Sequence, residues 1–468
     1  MVPISLPSIA AVLRKKGHDV KIIDCIADGL GTEDLNEALR EFDPDMVILD
    51  VSTPTFEFDK KTVSTIKKIR GNCHITAIGT HVTSLPAESL SESLLDSVIR
   101  REPEVTSLAL ADALQDGDSL KDVEGLSFKG NGQIIHNPDR PFIADLDGLP
   151  FPARDLIHNE KYTMPVSNQP YTLLISSRGC PYRCIFCTAR QYYGQKLRPR
   201  SAKNIVDEVE EIINKYGIKD ITMWSDTFTV DRDFVVGVCN EIKRRELEFN
   251  WMTNSRVDKV DLDLLKLMKS VGCSMVSYGA ESAVPEILKN CRKGTTPEQI
   301  KNALKWSREA GLETICHIIF GLPGETKETI NQTIKFVKKL NPDYVQFYGA
   351  IPFPGTEFYE MAVANDWLIT KDWSKFEINQ AIISTPLLSA EELDKARRQA
   401  FRTFYFRPGY VLKRLSKLRT WREWANLPGQ AWRFLKEWVW KKPVLSRSPE
   451  RSEREVEGNE DSSGHPGI

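Results

Sequence analysis

Three of the nine cysteines crowd into eight residues, Cys180-Pro181-Tyr182-Arg183-Cys184-Ile185-Phe186-Cys187. Thiolates that close together suit one soft metal ion or cluster. A disulfide is disfavoured in a reducing compartment, and structural zinc wants four ligands when no fourth Cys or His follows at finger spacing. A [4Fe–4S] cluster ordinarily takes four cysteines too. With three, one iron keeps an open corner at which a substrate or cofactor can coordinate. The other six, Cys25, Cys73, Cys239, Cys273, Cys291 and Cys316, stand singly in strand-like or helix-like stretches and read as small buried filler.

A cysteine loop needs a rigid platform. From residue 171 short apolar strands at 173–176, 220–224, 250–254, 275–279, 314–320 and 344–350 alternate with helices at 202–215, 232–244, 262–270, 297–309 and 327–340. That order predicts a partial (β/α)6 barrel of the TIM type, with working residues at the C-terminal ends of its strands. Ahead of it, helices at 9–16, 32–42 and 58–70 alternate with strands at 20–24, 46–51 and 74–79, which predicts a Rossmann-like open parallel sheet lacking a strand before its first helix. Residues 129–170 carry Pro138, Pro141, Pro150, Pro152, Pro165 and Pro170 without a sustained period and read as a connection. The expected units are 1–145, a linker at 146–170, a barrel at 171–385, a helical region at 386–442 and a disordered tail at 443–468.

C-x-x-x-C-x-x-C after the first strand of a partial barrel resembles the signature of the radical S-adenosylmethionine (SAM) superfamily. The resemblance implies a [4Fe–4S] cluster on Cys180, Cys184 and Cys187. Its free iron would bind SAM, and an electron would release a 5′-deoxyadenosyl radical. Four more segments match in order at successive strand ends. Ser225-Asp226-Thr227 is similar to the stretch holding the SAM amino group, and Gly279-Ala280-Glu281-Ser282 to the one facing its ribose or carboxylate. Ile319 and Gly321, in His317–Glu325, look like the adenine-contacting motif, and Pro352-Phe353-Pro354-Gly355-Thr356 like the closing turn. Taken singly, Asp226 has the alternative of a helix cap and Glu281 of a surface pair with Lys. Phe186 matches an aromatic commonly near the adenine, and core packing is its alternative. Arg256 is a candidate to neutralise the SAM carboxylate, with a salt bridge as its alternative.

Residues 1–145 resemble, more loosely, the cobalamin-binding domain that precedes many of these barrels, through residues 9–20, through Ala77-Ile78-Gly79-Thr80-His81-Val82-Thr83 and through Arg100-Arg101-Glu102-Pro103-Glu104. D-x-H-x-x-G is absent, so no cobalt-ligating histidine is expected from it. His81 is read as a hydrogen-bonding residue of a strand-to-helix turn. Ser52 and Gly79 are the candidate cobalamin-facing positions, because strand ends of an open α/β sheet form its ligand crevice. The pairing is similar to a branch of carbon and phosphorus methylases, hopanoid-modifying enzymes and the anaerobic magnesium-protoporphyrin monomethyl ester cyclase. It implies cobalamin-dependent methylation of an unactivated carbon in a small hydrophobic or lipid-like substrate, with oxidative cyclisation or rearrangement as the alternative. A flavodoxin or ferredoxin would serve as electron donor. From another class, the rival is a non-catalytic iron–sulfur electron-transfer or sensor protein.

The chain of 468 residues has 41% hydrophobic and 27% charged side chains, which argues against wholesale disorder and a multi-span membrane protein. No signal peptide or spanning run is visible, so a cytoplasmic location is expected. The net charge of −2 hides an asymmetry: residues 401–442 hold eleven Lys/Arg against two Asp/Glu. Trp421, Trp424, Trp432, Trp438 and Trp440 interleave with them. That pattern suits either peripheral contact with an anionic membrane surface or a helical cap on the barrel. No nucleic-acid module is recognisable.

Overall fold

The protein is described from a computed structural model covering residues 2–164 and 167–416, with Gly429 and Trp432. Trp421, Trp424, Trp438, Trp440 and the 443–468 segment lie outside the described residues, and so does most of the stretch read for membrane contact. Among the described residues no helix is long and apolar enough to cross a membrane.

The first sheet orders its strands β1 (Met46–Asp50), β2 (His74–Ile78), β3 (Ser97–Ile99), β4 (Leu126–Gly130) and β5 (Gln133–His136). The first three run parallel, with Met46 opposite His74 and Thr76 opposite Ser97. Helices Ser5–Lys15 and Pro103–Asp116 pack over it, and Ile75, Thr76, Ala77 and Ile78 are all buried, as a strand covered on both faces requires.

Three expectations fail here. Residues 20–24 form no strand, because no neighbouring strand offers them a ladder. Val20 and Ile22 pack on Ala10, Ala11 and Ala153 instead, and Asp24 caps Cys25–Asp28 while accepting the Tyr162 hydroxyl at 2.7 Å. Cys25, at the start of that turn, is only half-buried and is not core filler. The connection read from 129 onward begins with the β4–β5 hairpin, turned by Asn131 and Gly132 at φ 51° and 74°. Asn-Gly between short apolar runs is the strongest local hairpin signal, and it stands here directly ahead of a proline-rich stretch.

The second sheet is wholly parallel and keeps sequence order: β6 (Tyr171–Ile175), β9 (Asp220–Trp224), β10 (Asn250–Ser255), β11 (Cys273–Glu281), β12 (Glu313–Phe320) and β13 (Tyr344–Gly349). A two-residue ladder of β7 (Ser177–Arg178) with β8 (Arg198–Pro199) stands at the mouth of β6. Ser201, Asp231, Asp261, Thr296 and Thr326 each accept a backbone N–H of the adjoining helix, which fixes where the five barrel helices begin. Buried and half-buried residues alternate along β12 and β13. The buried set meets the helices, and the half-buried set, including Ile315, His317, Ile319 and Tyr348, lines the interior.

Helices Ala390–Tyr405 and Pro408–Leu415 are the described part of the helical region. Tyr405 covers the outer edge of β13, its hydroxyl accepting from Val345 N–H at 2.9 Å and donating to Val345 carbonyl at 2.7 Å. The core is continuous across the two sheets, with Val51 and Phe56 joining the barrel residues and Trp373 between them.

Candidate functional site

The cysteine loop leaves β7 and is fastened through its backbone. Cys180 N–H donates to the Gly194 carbonyl at 3.1 Å, Ile185 N–H to that of Cys291 at 3.2 Å, and Phe358 N–H to that of Ile185 at 3.0 Å. Ile185 is buried in the barrel core and Phe186 packs partly against it. Tyr182 lies under the Arg256 guanidinium, 3.5 Å from the ring centroid. A cleft of about 380 Å³ opens beside Cys184 and Cys187.

At the end of β9, Asp226 accepts Gly179 N–H at 2.8 Å, directly before the first cysteine. It caps the cysteine loop and not a helix. Burial pushes its carboxyl up to about 6, against the opposing pull of that N–H and of Arg178 and Arg198. Thr227 Oγ1 stands 3.9 Å from Cys180 Sγ, and Ser225 Oγ bonds Ser177 Oγ at 2.6 Å.

At the end of β11 the ladder slips between Gly279 and Glu281, and Glu281 takes the left-handed conformation at φ 62°. This bulge turns its carboxylate onto Lys293 Nζ at 2.7 Å, with both groups buried. A Cβ on Gly279 would lie 2.5 Å from Glu281 Oε1 and 2.7 Å from Lys293 Nζ, so glycine is what lets the pair lie across the strand. Glu281 therefore pairs with a buried lysine, not a surface one. Burial lowers the Lys293 ammonium, but Glu281 and Cys184 oppose this and leave it raised. Burial likewise raises the Cys184 thiol, with Lys293, Glu281, Arg256 and Cys180 as its charged neighbours, so strand ends β10 and β11 share one electrostatic site with the cysteine loop.

Arg256 is buried and committed. It donates to Asp258 at 2.9 Å and to the Lys293 carbonyl at 2.8 Å while covering Tyr182. Ser282 is directed away from this site: its hydroxyl sits 3.3 Å from Thr333 Oγ1 on helix Lys327–Leu340 and accepts Val284 N–H. Ile319 is half-buried on the interior face of β12. Gly321 N–H donates to Glu325 Oε2 at 2.6 Å, and burial pushes the Glu325 carboxyl up to about 8. A folded-state value above the usual 4.5 means that Glu325's contribution to stability is fully present below about pH 4.5 and is lost as pH rises through 8. Replacing Glu325 with Gln is expected to remove that slope. Urea titrations at pH 5 and 9 should show the variant gaining up to about 4 kcal/mol relative to wild type at the higher pH.

In the first sheet Gly79, at φ 115°, succeeds β2 against the Val51 carbonyl, where any Cβ would overlap that oxygen. Ser52 is exposed, and its hydroxyl lies 3.0 Å from Thr55 Oγ1. His81 makes no turn hydrogen bond: the buried ring lies between Phe56 at 4.4 Å and Trp373 at 5.2 Å with both nitrogens unpartnered. Burial first, and Lys60 second, lower it to about 4. Thr76 Oγ1 and Asp59 Oδ2 are also buried without partners. Gly79→Ala is expected to destabilise the first sheet by about 2–3 kcal/mol. If the crevice is a cobalamin site, it should also lower the cobalamin retained after gel filtration, read from the corrin absorbance.

Between sheet and barrel lies a buried quartet. Arg178, two residues before Cys180, donates to Glu104 at 2.5 and 3.1 Å and to Glu102 at 3.2 Å. Arg198 donates to Glu102 at 3.0 Å and to the Tyr193 carbonyl at 2.7 Å. Glu102 and Glu104 open helix Pro103–Asp116 directly after the end of β3. Glu102 and Glu104 are marked in the sequence only as part of the looser resemblance of residues 1–145, and Arg178, Arg198 and Lys293 are not marked at all. The acidic pair had a signal in Glu102-Pro103-Glu104, carboxylates around a proline at a helix start; Lys293 had none.

The residues fit a cluster in donor chemistry and space: three thiols on one loop, a cleft beside them, and cations nearby to balance thiolate charge. No three His, Cys, Asp or Glu side chains among the described residues are already gathered as a metal site, so convergence of the thiols would accompany cluster binding. In the first sheet, Gly79 without a Cβ at the end of β2 and exposed Ser52 after β1 suit a ligand at the strand-end crevice.

Two family models match this chain: the Radical SAM superfamily over residues 174–337 and the B12 binding domain over residues 1–111. An uncharacterized methyltransferase of Pyrococcus horikoshii is 37% identical over 413 residues, 88% of this chain and 89% of that protein. The anaerobic magnesium-protoporphyrin IX monomethyl ester cyclase of Cereibacter sphaeroides is 28% identical over 85% of this chain and 66% of its own length. Among solved structures, the cobalamin-dependent S-adenosylmethionine radical enzyme OxsB with aqua-cobalamin and SAM bound superposes with a TM-score of 0.75 at 18% identity, covering 98% of this chain and 72% of that one. That likeness shows the shared fold. With a relative this similar along nearly its whole length, the chain belongs to the radical SAM superfamily, in the class whose barrel comes after a B12-binding domain.

Proposed function

We propose that this enzyme methylates an unactivated carbon of a small hydrophobic metabolite, using SAM both as radical source and as methyl donor through cobalamin. When bound, the cluster with SAM supplies a 5′-deoxyadenosyl radical and cobalamin supplies the methyl group. The observation that carries the reading is the buried quartet, which ties the strand-end crevice of the first sheet to the flank of the cysteine loop. Two cofactor sites joined by a buried ion network suit a reaction that must bring a substrate radical and a methyl donor together.

In this reading Cys180, Cys184 and Cys187 hold the cluster. Ser225, Asp226 and Thr227 orient the SAM amino group, and Phe186, Ile319 and Gly321 bound its adenine. Gly279 leaves room for Glu281 and Lys293, whose ammonium is freer than Arg256 to meet the carboxylate. Ser52 and Gly79 face cobalamin. Met252, Met275 and Ile315, half-buried on the barrel interior, favour an apolar substrate. The electron donor is of the flavodoxin or ferredoxin type.

The test is anaerobic reconstitution with iron, sulfide and cobalamin, then addition of SAM bearing a deuterated methyl group and a reductant. Formation of 5′-deoxyadenosine with the label in a product is expected. Absence of 5′-deoxyadenosine would sink the enzyme reading, and an oxidised product without label would favour the cyclase chemistry.

A further inference from the structure

The surface around the cysteine loop differs in charge from the rest of the body. Residues 1–400 have a net charge near −8, yet residues 180–196 hold Arg183, Arg190 and Lys196 and no Asp or Glu. Arg183 and Lys196 are exposed and Arg190 is half-buried. Among the described residues none of the three has a carboxylate within salt-bridge distance, whereas their charged neighbours do: Arg101 pairs with Asp139 at 2.7 Å and Arg292 with Glu357 at 2.7 Å. Arg183, Arg190, Cys184 and Cys187 line the same cleft of about 380 Å³. Lys196 flanks it, its carbonyl lying against Gly179. Positive charge without a partner thus shares the cleft with two of the thiols, where the one carboxylate of the lining, Glu357, is already paired with Arg292.

We infer that the face formed by Arg183, Arg190 and Lys196 is the docking surface for an acidic one-electron carrier protein. The inference rests on the cluster assignment to Cys180, Cys184 and Cys187. Electron transfer weakens steeply with distance, so a carrier must approach the cluster closely, and the cleft beside two of its ligands is a short route from solvent. Three unpaired cations on an acidic body steer a negatively charged partner to that spot and orient it, while a small transient interface suffices for turnover. One electron passes from a flavin hydroquinone, leaving the semiquinone, to the oxidised cluster, which becomes reduced by one.

The test uses full-length protein with a reconstituted cluster, mixed anaerobically in a stopped-flow instrument with fully reduced flavodoxin and, separately, with methyl viologen radical cation. The flavodoxin rate should fall about tenfold between low and high salt. The variant carrying R183E, R190E and K196E should be slowed by about tenfold or more at low salt, and its flavodoxin rate should rise as salt rises, while its rate with the cationic viologen is not slowed. R183K, R190K and K196R together should behave as wild type. An unchanged flavodoxin rate in the reversed variant would overturn the docking face, and so would equal slowing with both reductants, which would place the effect on the cluster. Wild-type protein that takes up no cluster would instead fail the underlying assignment.

Discussion

Replacing Cys184 with alanine is expected to leave the barrel folded and remove its cluster, with iron falling from about four atoms per chain to less than one. The loop is held by backbone bonds at Cys180, Ile185 and Phe358 and by the buried Ile185 side chain, none of which involves the Cys184 sulfur. Structure should therefore survive while a ligand is lost. Two remaining thiolates cannot hold a cubane that already lacks its fourth protein ligand, so 5′-deoxyadenosine formation should fall to the level of iron-free protein. Cys239→Ala is the matched control. That thiol is buried in helix Arg232–Arg244, and the variant should lose about 1 kcal/mol or slightly more of stability while keeping full iron. Iron and sulfide analysis with the visible charge-transfer band separates the two variants. Full iron in Cys184→Ala would mean that the ligand set is wrong.

The barrel was legible because each of its elements carries two agreeing signals. Asp231 before 232–244, Asp261 before 262–270 and Thr296 before 297–309 mark helix starts, and the apolar period of each segment agrees with its cap. The first sheet was read less well because a strand is a pairing, and no single segment reveals its partner. Residues 20–24 have a strand's composition, yet pack as an irregular segment against alanines of helix Ser5–Lys15. The hairpin at Asn131-Gly132 shows the reverse, a local turn signal that suffices for a strand pair even beside a proline-rich run. At the site, the motif residues arrived at strand ends as expected, but their partners were not deducible from sequence. Glu281 gave no hint of Lys293, twelve residues on, because the contact depends on a slipped ladder and a left-handed backbone. Arg256 carries the charge expected of a carboxylate-binding group but is already engaged by Asp258 and Tyr182. Ser282 lies just past the end of β11, and the left-handed turn at Glu281 sends its hydroxyl to the outer helix.

Removing the Lys293 ammonium should have a large effect on both stability and cofactor binding. Lys293 and Glu281 are both under 10% exposed and 2.7 Å apart, with Arg256, Cys184, Cys291 and His317 among the nearby ionisable groups. Lys293→Met leaves the Glu281 carboxylate buried without its counter-ion, a change that destabilises by about 3–5 kcal/mol when one partner of a buried pair is deleted. The double variant Lys293→Met with Glu281→Gln should recover much of that loss, because a neutral amide tolerates the site better than an orphaned carboxylate. Binding separates the structural role from the proposed one. If the ammonium meets the SAM carboxylate, the double variant should be restored in stability yet remain about tenfold or more weaker for SAM, the equivalent of one charge-assisted hydrogen bond. Equilibrium dialysis with labelled SAM on the cluster-loaded protein gives the affinity, and urea titration gives the stability. Wild-type SAM affinity in the stable double variant would remove Lys293 from the cofactor site and leave the pair as a clamp that holds the β11 bulge.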